Sequence, residues 1–323
     1  MKNFFLKNLI LFSVIFLFAS SFSGCVENNE NTDGKMNVTA VSFVQYDFAR
    51  AISGGLCNVN MIMKPGSEYH GYEPSFSDIK KISESDVFIY NGGESDIWIH
   101  EISRLEDVKN TLKVPLANYA TLIKKERDGH THSHSHHGHN HNECELDSGY
   151  DEHIWLCPDN AVLMIDAICN AMCEKDPANS YSYRENAQKY KKNIEILKNE
   201  LIYIRDNLKK DTLIVGDRFP YLYLTEYIGV KYMSAIPGCG HESEANPSDM
   251  IEIIDKIRTD KIDVVFCSEQ SDKRVAKAIS RETGAKILTL HSCQSISHQD
   301  FDNQKTYIDL MKQNIENLKE ALL

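Results

Sequence analysis

Seven of the chain's thirteen histidines fall between His130 and His141, in the run HTHSHSHHGHNH. His130, His132, His134, His136, His137, His139 and His141 are interleaved only with Gly, Ser, Thr and Asn, which offer nothing to pack into a core. Imidazole, largely neutral near physiological pH, is the commonest protein ligand for zinc and its neighbours. The run therefore reads as a solvated loop that handles metal ions; the plainer alternative is a polar insertion with no ligand. A purification tag does not fit an internal, irregular tract between structured-looking segments. Four more ligand-type side chains stand at or near the ends of apolar runs: His70 in PGSEYHGYEPS, His153 in DEHIWLCP, Asp217 in VGDRF and His291 in LTLHSCQS. Three imidazoles and one carboxylate would close a four-coordinate site suited to Zn2+. His241, Glu242 and Glu244, in the loop PGCGHESEANPS, are reserve ligands or gating residues. Each of the four also has a structural alternative, and a lone histidine at a position such as His70 is weak evidence by itself. Asp217 can cap the helix after Pro220, and His291 can be a hydrogen-bonded core residue beside Ser292.

The elements that must position these residues alternate in type. Strands are expected at Val38–Phe43, Val59–Met63, Val87–Tyr90 and Leu112–Leu116, with helices at Tyr46–Ile52, after Ser75 or Ser77 through Ile82, and at Ile97–Leu105. Pro158 opens a helix to about Cys173. Ala187, Tyr190, Ile194, Leu197, Leu201, Ile204 and Leu208 then keep a 3-4 spacing, predicting one long helix from about Ser180 to Leu208 with a single apolar seam. After it the alternation restarts: strands at Thr212–Gly216, Tyr232–Ile236, Val264–Cys267 and Lys286–Leu290, helices at Tyr221–Ile228, Asp249–Ile257, Lys273–Glu282 and Tyr307–Leu322. The fold class expected is α/β: two lobes, each a mainly parallel sheet flanked by helices, joined by one long rigid helix. Residues 36–178 make the first lobe with the His-rich loop 129–142, residues 179–210 the linking helix, and residues 211–323 the second lobe. Open parallel sheets gather ligands at the carboxyl ends of their strands, which places the site in the cleft between the lobes.

The ends and the charge bound the setting. Phe4 to Phe22 is apolar but for Lys7 and a few small polar residues, and SSFSGC closes it at Cys25. That pattern is a signal peptide over residues 1–24 with a lipidation cysteine at Cys25, followed by a polar tether over residues 25–35; the rival is an uncleaved N-terminal anchor. Either way the rest of the chain lies outside the cytoplasmic membrane, on its outer face. A net charge of −12 argues against nucleic acid and for a mildly cation-attracting surface.

PGSEYHGYEPS resembles the PGxxPHxYEPS motif of the metal-binding lipoproteins of zinc and manganese ABC transporters, and DEHIWLCP their DPHxWLxP motif, with Glu152 where proline is usual. A His-rich insertion between the two motifs is typical of the zinc-binding members, and the resemblance runs from about residue 36 to the end. It implies two α/β lobes bridged by a rigid helix, metal held between them, and His70 and His153 as ligands. Many members carry histidine where Gly216-Asp217-Arg218 stands here; manganese-type members carry a carboxylate there. The fourth position, usually Asp or Glu, aligns with His291. If the second lobe folds in this way, Cys239 and Cys293 share the cleft edge and are expected to form a disulfide; two free thiols are the alternative.

The function expected is capture of Zn2+, ahead of Mn2+, by a monomer that delivers it to an ABC permease with its ATPase. The His-rich loop would collect metal weakly and the buried site hold it tightly. Affinity should fall as pH drops through the imidazole range near ~6.5. Competing readings are a manganese or iron carrier of the same build, an adhesin or metal buffer working through the His tract, and an exported zinc hydrolase. The last needs an open coordination position and a general base; HExxH, a nucleophile elbow and a phosphate-binding glycine loop are all missing.

Overall fold

The computed structural model describes residues 34–124, 149–236 and 245–323. The signal segment, Cys25 and most of the tether, the His-rich tract, Cys239, His241, Glu242 and Glu244 lie outside the described residues.

Strands β1 (Asn37–Ala40), β2 (Asn58–Met61), β3 (Val87–Tyr90) and β4 (Leu112–Pro115) form one four-stranded sheet in the order β2-β1-β3-β4. Strands β5 (Thr212–Val215), β6 (Lys231–Ser234), β7 (Val264–Cys267) and β8 (Lys286–Thr289) form a second in the order β6-β5-β7-β8. Every pairing is parallel. Parallel strands need crossover helices, which cover both faces, so the inner strands read as unbroken apolar runs rather than alternating ones. VFIY in β3 and VVFC in β7 are such runs, buried but for Tyr90. In each sheet the chain leaves the first strand to one side and later returns to the other, so a switch point lies between β1 and β3 and another between β5 and β7.

The first-sheet helices are α1 (Phe43–Ser53), α2 (Phe76–Ser83) and the short α3 (Trp98–Ile102). Ser75, not Ser77, caps α2: its hydroxyl accepts the Asp78 N–H, and the Asp78 carboxylate accepts the Ser75 N–H. The single helix expected at Ile97–Leu105 is instead α3 between two 3-10 turns, Glu94–Asp96 and Glu106–Val108.

Helix α4 (Pro158–Lys175) leads into α5 (Ser180–Asp206), whose 27 residues span about 40 Å. Its buried residues are Tyr183, Ala187, Tyr190, Ile194, Leu197, Leu201 and Ile204: the predicted seam gains Tyr183 one turn earlier and loses Leu208, which lies past the helix end and is half-buried. The second half adds α6 (Leu222–Ile228), α7 (Pro247–Asp260), α8 (Arg274–Thr283), α9 (His298–Asp302) and α10 (Tyr307–Leu322). Met36–Leu323 is one compact unit, and a single core runs from Val38, Phe48 and Ile89 through the α5 seam to Val215, Phe266 and Leu318. The molecule therefore has two sheets, but its main core is shared. Among the described residues no helix is long and apolar enough to cross a membrane.

Candidate metal site

His70 lies on the loop that follows β2. Tyr69 beside it is buried, and its hydroxyl donates to Asp96 Oδ1 at 2.7 Å. Gly66 and Gly71 bracket the segment at φ +77° and +79°, a backbone that a side chain disfavours, and the Gly66 N–H bonds the Ile296 carbonyl at 2.7 Å. The loop is thus pinned through Tyr69 to the 3-10 turn that follows β3, and through Gly66 to the second half. Burial pushes the Asp96 carboxyl up to about 6, against the hydrogen bonds from Tyr69 and Gly92 that favour its charge.

His153 stands at the entry to the 3-10 turn Ile154–Leu156, itself packed in the core. Asp151 Oδ1 takes both the backbone N–H of His153, at 2.9 Å, and its ring Nδ1, at 3.0 Å. A carboxylate only accepts, so the ring proton sits on Nδ1 and the lone pair on Nε2. That Nε2 is buried and has no hydrogen-bond partner among the described residues. A buried lone pair without a donor is costly unless something electrophilic fills the gap. The His70 and His153 ring centroids are 5.7 Å apart. Imidazole nitrogens bind Zn2+ at roughly 2.0–2.1 Å, so two rings at this spacing can share one ion.

Both rings line a cavity of about 100 Å³ whose opposite wall comes from the second sheet. Asp217 follows β5 and Glu269 follows β7, the two strands that flank the second switch point. Asp217 does not cap the next helix, where Tyr221 holds the N-cap position. Its Oδ2 accepts the Ser268 N–H and O–H, at 3.2 and 2.6 Å, and its Oδ1 accepts the Arg218 N–H. Gly216 lets β5 end against α8, since a Cβ there would sit 2.7 Å from the Ala276 Cα. Glu269 holds Ser292 by its N–H and its hydroxyl, at 2.8 and 2.6 Å. At the mouth Arg218 Nη1 lies 3.6 Å from Glu68 Oε2, an ion pair from one wall to the other.

His291 is not among the residues that line this cavity. It follows β8, an edge strand away from the switch point, and Asn314 clamps its backbone N–H and C=O at 2.7 and 2.8 Å. Its Nε2 is buried with no hydrogen-bond partner among the described residues, and its loop lines the cavity through Ser292, Gln294 and Ser295. The expected disulfide also fails at its described end. Cys293 is a free thiol, fully buried in the core rather than at the cleft edge, and burial pushes its pKa up. Among the described residues no three or more His, Cys, Asp or Glu side chains are already gathered in metal-holding geometry. The imidazole pair is in place; the carboxylate wall is engaged with serines.

The family described as zinc-uptake complex component A, periplasmic, matches residues 38–321. The zinc-binding lipoprotein AdcA of Streptococcus pneumoniae serotype 4 is 25% identical over 97% of this chain, which spans 60% of that protein. The iron-binding protein YfeA of Yersinia pestis is 28% identical over 98% of this chain and 96% of its own. The metal-dependent lipoprotein YcdH of Bacillus subtilis superposes with a TM-score of 0.74 at 23% identity, over 90% of this chain and all of that one, and shows the same fold.

Proposed function

This chain belongs to the periplasmic zinc-uptake complex component A family, and from that premise we propose that it captures Zn2+ between its two sheets outside the cytoplasmic membrane and delivers the ion to an ABC permease for import. The observation that carries the reading is the His70–His153 pair, 5.7 Å apart, with the buried Nε2 of His153 unpartnered among the described residues beside a cavity walled by carboxylates. The family is one of solute-binding proteins for metal transport, and the ion is cargo.

His70 and His153 receive the ion, Asp217 supplies the facing oxygen, and Glu269 stands in the fourth position in place of His291. Asp217 must exchange its Ser268 bonds for the metal, a movement confined to the loops after β5 and β7. The His-rich tract supplies weak local collection by its composition alone, and Cys25 tethers the chain through lipid.

A second reading is a manganese or iron carrier of the same build. It is favoured by one observation: the second wall offers carboxylate oxygen where many zinc-binding members offer imidazole, and oxygen ligands suit Mn2+ better than nitrogen does.

Metal stoichiometry of the exported chain, with and without residues 130–141, tests the proposal. Deleting the tract should remove weak sites and leave one tight one that prefers Zn2+ over Mn2+ in direct competition. Loss of the tight site with the tract would refute capture in the cleft, and a reversed preference would decide for the second reading.

A further inference from the structure

Glu152 stands where the resembled motif has proline, and its carboxylate is buried with 4% of its side chain exposed. Oε1 accepts the Ser95 N–H at 2.7 Å, and Oε2 accepts the Ser95 O–H at 2.6 Å. The same Ser95 Oγ lies 3.0 Å from His70 Nδ1, while Glu152 Oε2 is 3.7 Å from that nitrogen. Room for the carboxylate exists because residue 93 is glycine; a Cβ there would come within 2.1 Å of Oε1.

We infer that Glu152 is a positioning residue, which fixes the proton of His70 on Nδ1 by way of Ser95. A serine hydroxyl has one proton to give, and a carboxylate has none. Since Glu152 takes the hydroxyl proton of Ser95, Ser95 can only accept from His70. Nδ1 therefore carries the hydrogen, and the lone pair is on Nε2, the nitrogen that would ligate a metal ion. Asp151 does this for His153 directly; Glu152 does it for His70 through one intervening hydroxyl. Partners of this kind hold a ligating imidazole in one tautomer and orientation. The consequence for metal binding rests on the capture reading above, whereas the proton arrangement does not.

Replacing Glu152 by glutamine reverses the chain of donors without changing its shape. The Ser95 N–H needs an acceptor and takes the amide oxygen, so the amide nitrogen faces Ser95 Oγ and donates to it. The Ser95 proton then turns to His70 Nδ1, and the imidazole must carry its own hydrogen on Nε2.

The test is nitrogen NMR of the imidazoles in the metal-free full chain, with His70 assigned by its loss in His70→Gln, alongside Zn2+ affinity by competition with a chromogenic chelator. Wild type should show His70 protonated on Nδ1, and Ser95→Thr, which keeps the hydroxyl, should match it. Glu152→Gln should show His70 protonated on Nε2 and an affinity lower by about 10–100-fold. An Nε2–H tautomer in the wild type overturns the inference with no variant needed. So does retention of Nδ1–H in Glu152→Gln, even if affinity falls, because a merely structural role would give that result. Should the wild-type chain bind no Zn2+, the capture reading falls, and the nitrogen spectra still decide the role of Glu152.

Discussion

Asp217 and Glu269 share a position in the fold, each just past the end of one of the two strands that flank the second switch point. His291 sits past an edge strand, with its backbone locked to Asn314. Alanine at Asp217 or Glu269 should therefore weaken Zn2+ binding, by about 10–100-fold for the loss of one ligand or its support. His291→Ala should leave metal affinity unchanged and alter only the unfolding midpoint. Competition titration of the three variants checks this, and a loss confined to His291→Ala would return that residue to the ligand set. His70 and His153 were legible in the sequence because each sits in a dense local motif. Glu269 was not, since a single carboxylate after VVFC has no local signature and becomes visible only once strand order shows which ends lie together. Asp96 carries a pH effect at the same scale. Burial raises its carboxyl from 3.8 to about 6, so the folded chain holds that proton more tightly than the unfolded one. The resulting stabilisation is complete below 3.8 and lost as pH rises through about 6, and is worth about 3 kcal/mol. In denaturant unfolding, the stability of the wild type relative to Asp96→Asn should drop by about that amount between about pH 4 and about pH 7. A flat difference would mean that Asp96 does not titrate there.

The long helix α5 was readable almost residue by residue, because a narrow apolar seam among Lys, Glu and Asn has few other places to go. Strands β3 and β7 were equally plain, since both faces of a parallel sheet are covered and VFIY and VVFC are unbroken apolar runs. Boundaries were less so. The strand expected at Val38–Phe43 stops at Ala40, and Phe43 already begins α1, where its N–H bonds the Gln294 carbonyl of the second half at 3.2 Å. No local propensity encodes such a long-range partner. The seam makes a sharp prediction for α5. Leu201 is fully buried, so Leu201→Ala should cost about 2–5 kcal/mol of unfolding free energy. Ile196, on the same helix, is 56% exposed, so Ile196→Ala should stay within about 0.5 kcal/mol of wild type. Chemical denaturation of both variants measures the contrast. Equal losses would mean that Ile196 also packs against something, and equal small effects that α5 is not the spine of the core.

Two lobes around a cleft suggest a hinge, yet the shared core argues against a wide one. Among the described residues at least six hydrogen bonds join the halves. Trp155 Nε1 donates to the Ser292 carbonyl and Tyr307 Oη to that of Trp155, each at 2.7 Å. Tyr223 Oη donates to the Asp151 carbonyl at 3.2 Å and accepts the Ile123 N–H at 2.9 Å. The N–H groups of Phe43 and Gly66 bond the carbonyls of Gln294 and Ile296. At about 1 kcal/mol net apiece, breaking them together costs about 6 kcal/mol before any apolar surface is exposed. That is comparable with the entire stability of a typical domain, about 5–15 kcal/mol. The path open to an ion therefore runs through side chains and loop ends at the mouth, where Arg218 and Glu68 are paired at 3.6 Å, with 28% and 42% of their side chains exposed. An ion pair with that much access to water holds weakly and can part without disturbing the core. Small-angle scattering of metal-free and Zn2+-loaded protein should accordingly give superimposable profiles and the same radius of gyration. Tryptophan fluorescence should change on loading, because the Trp155 ring packs edge-on against His153 at 5.6 Å. A compaction on loading would show that the halves do swing, and that the bonds counted between them form only in the closed state.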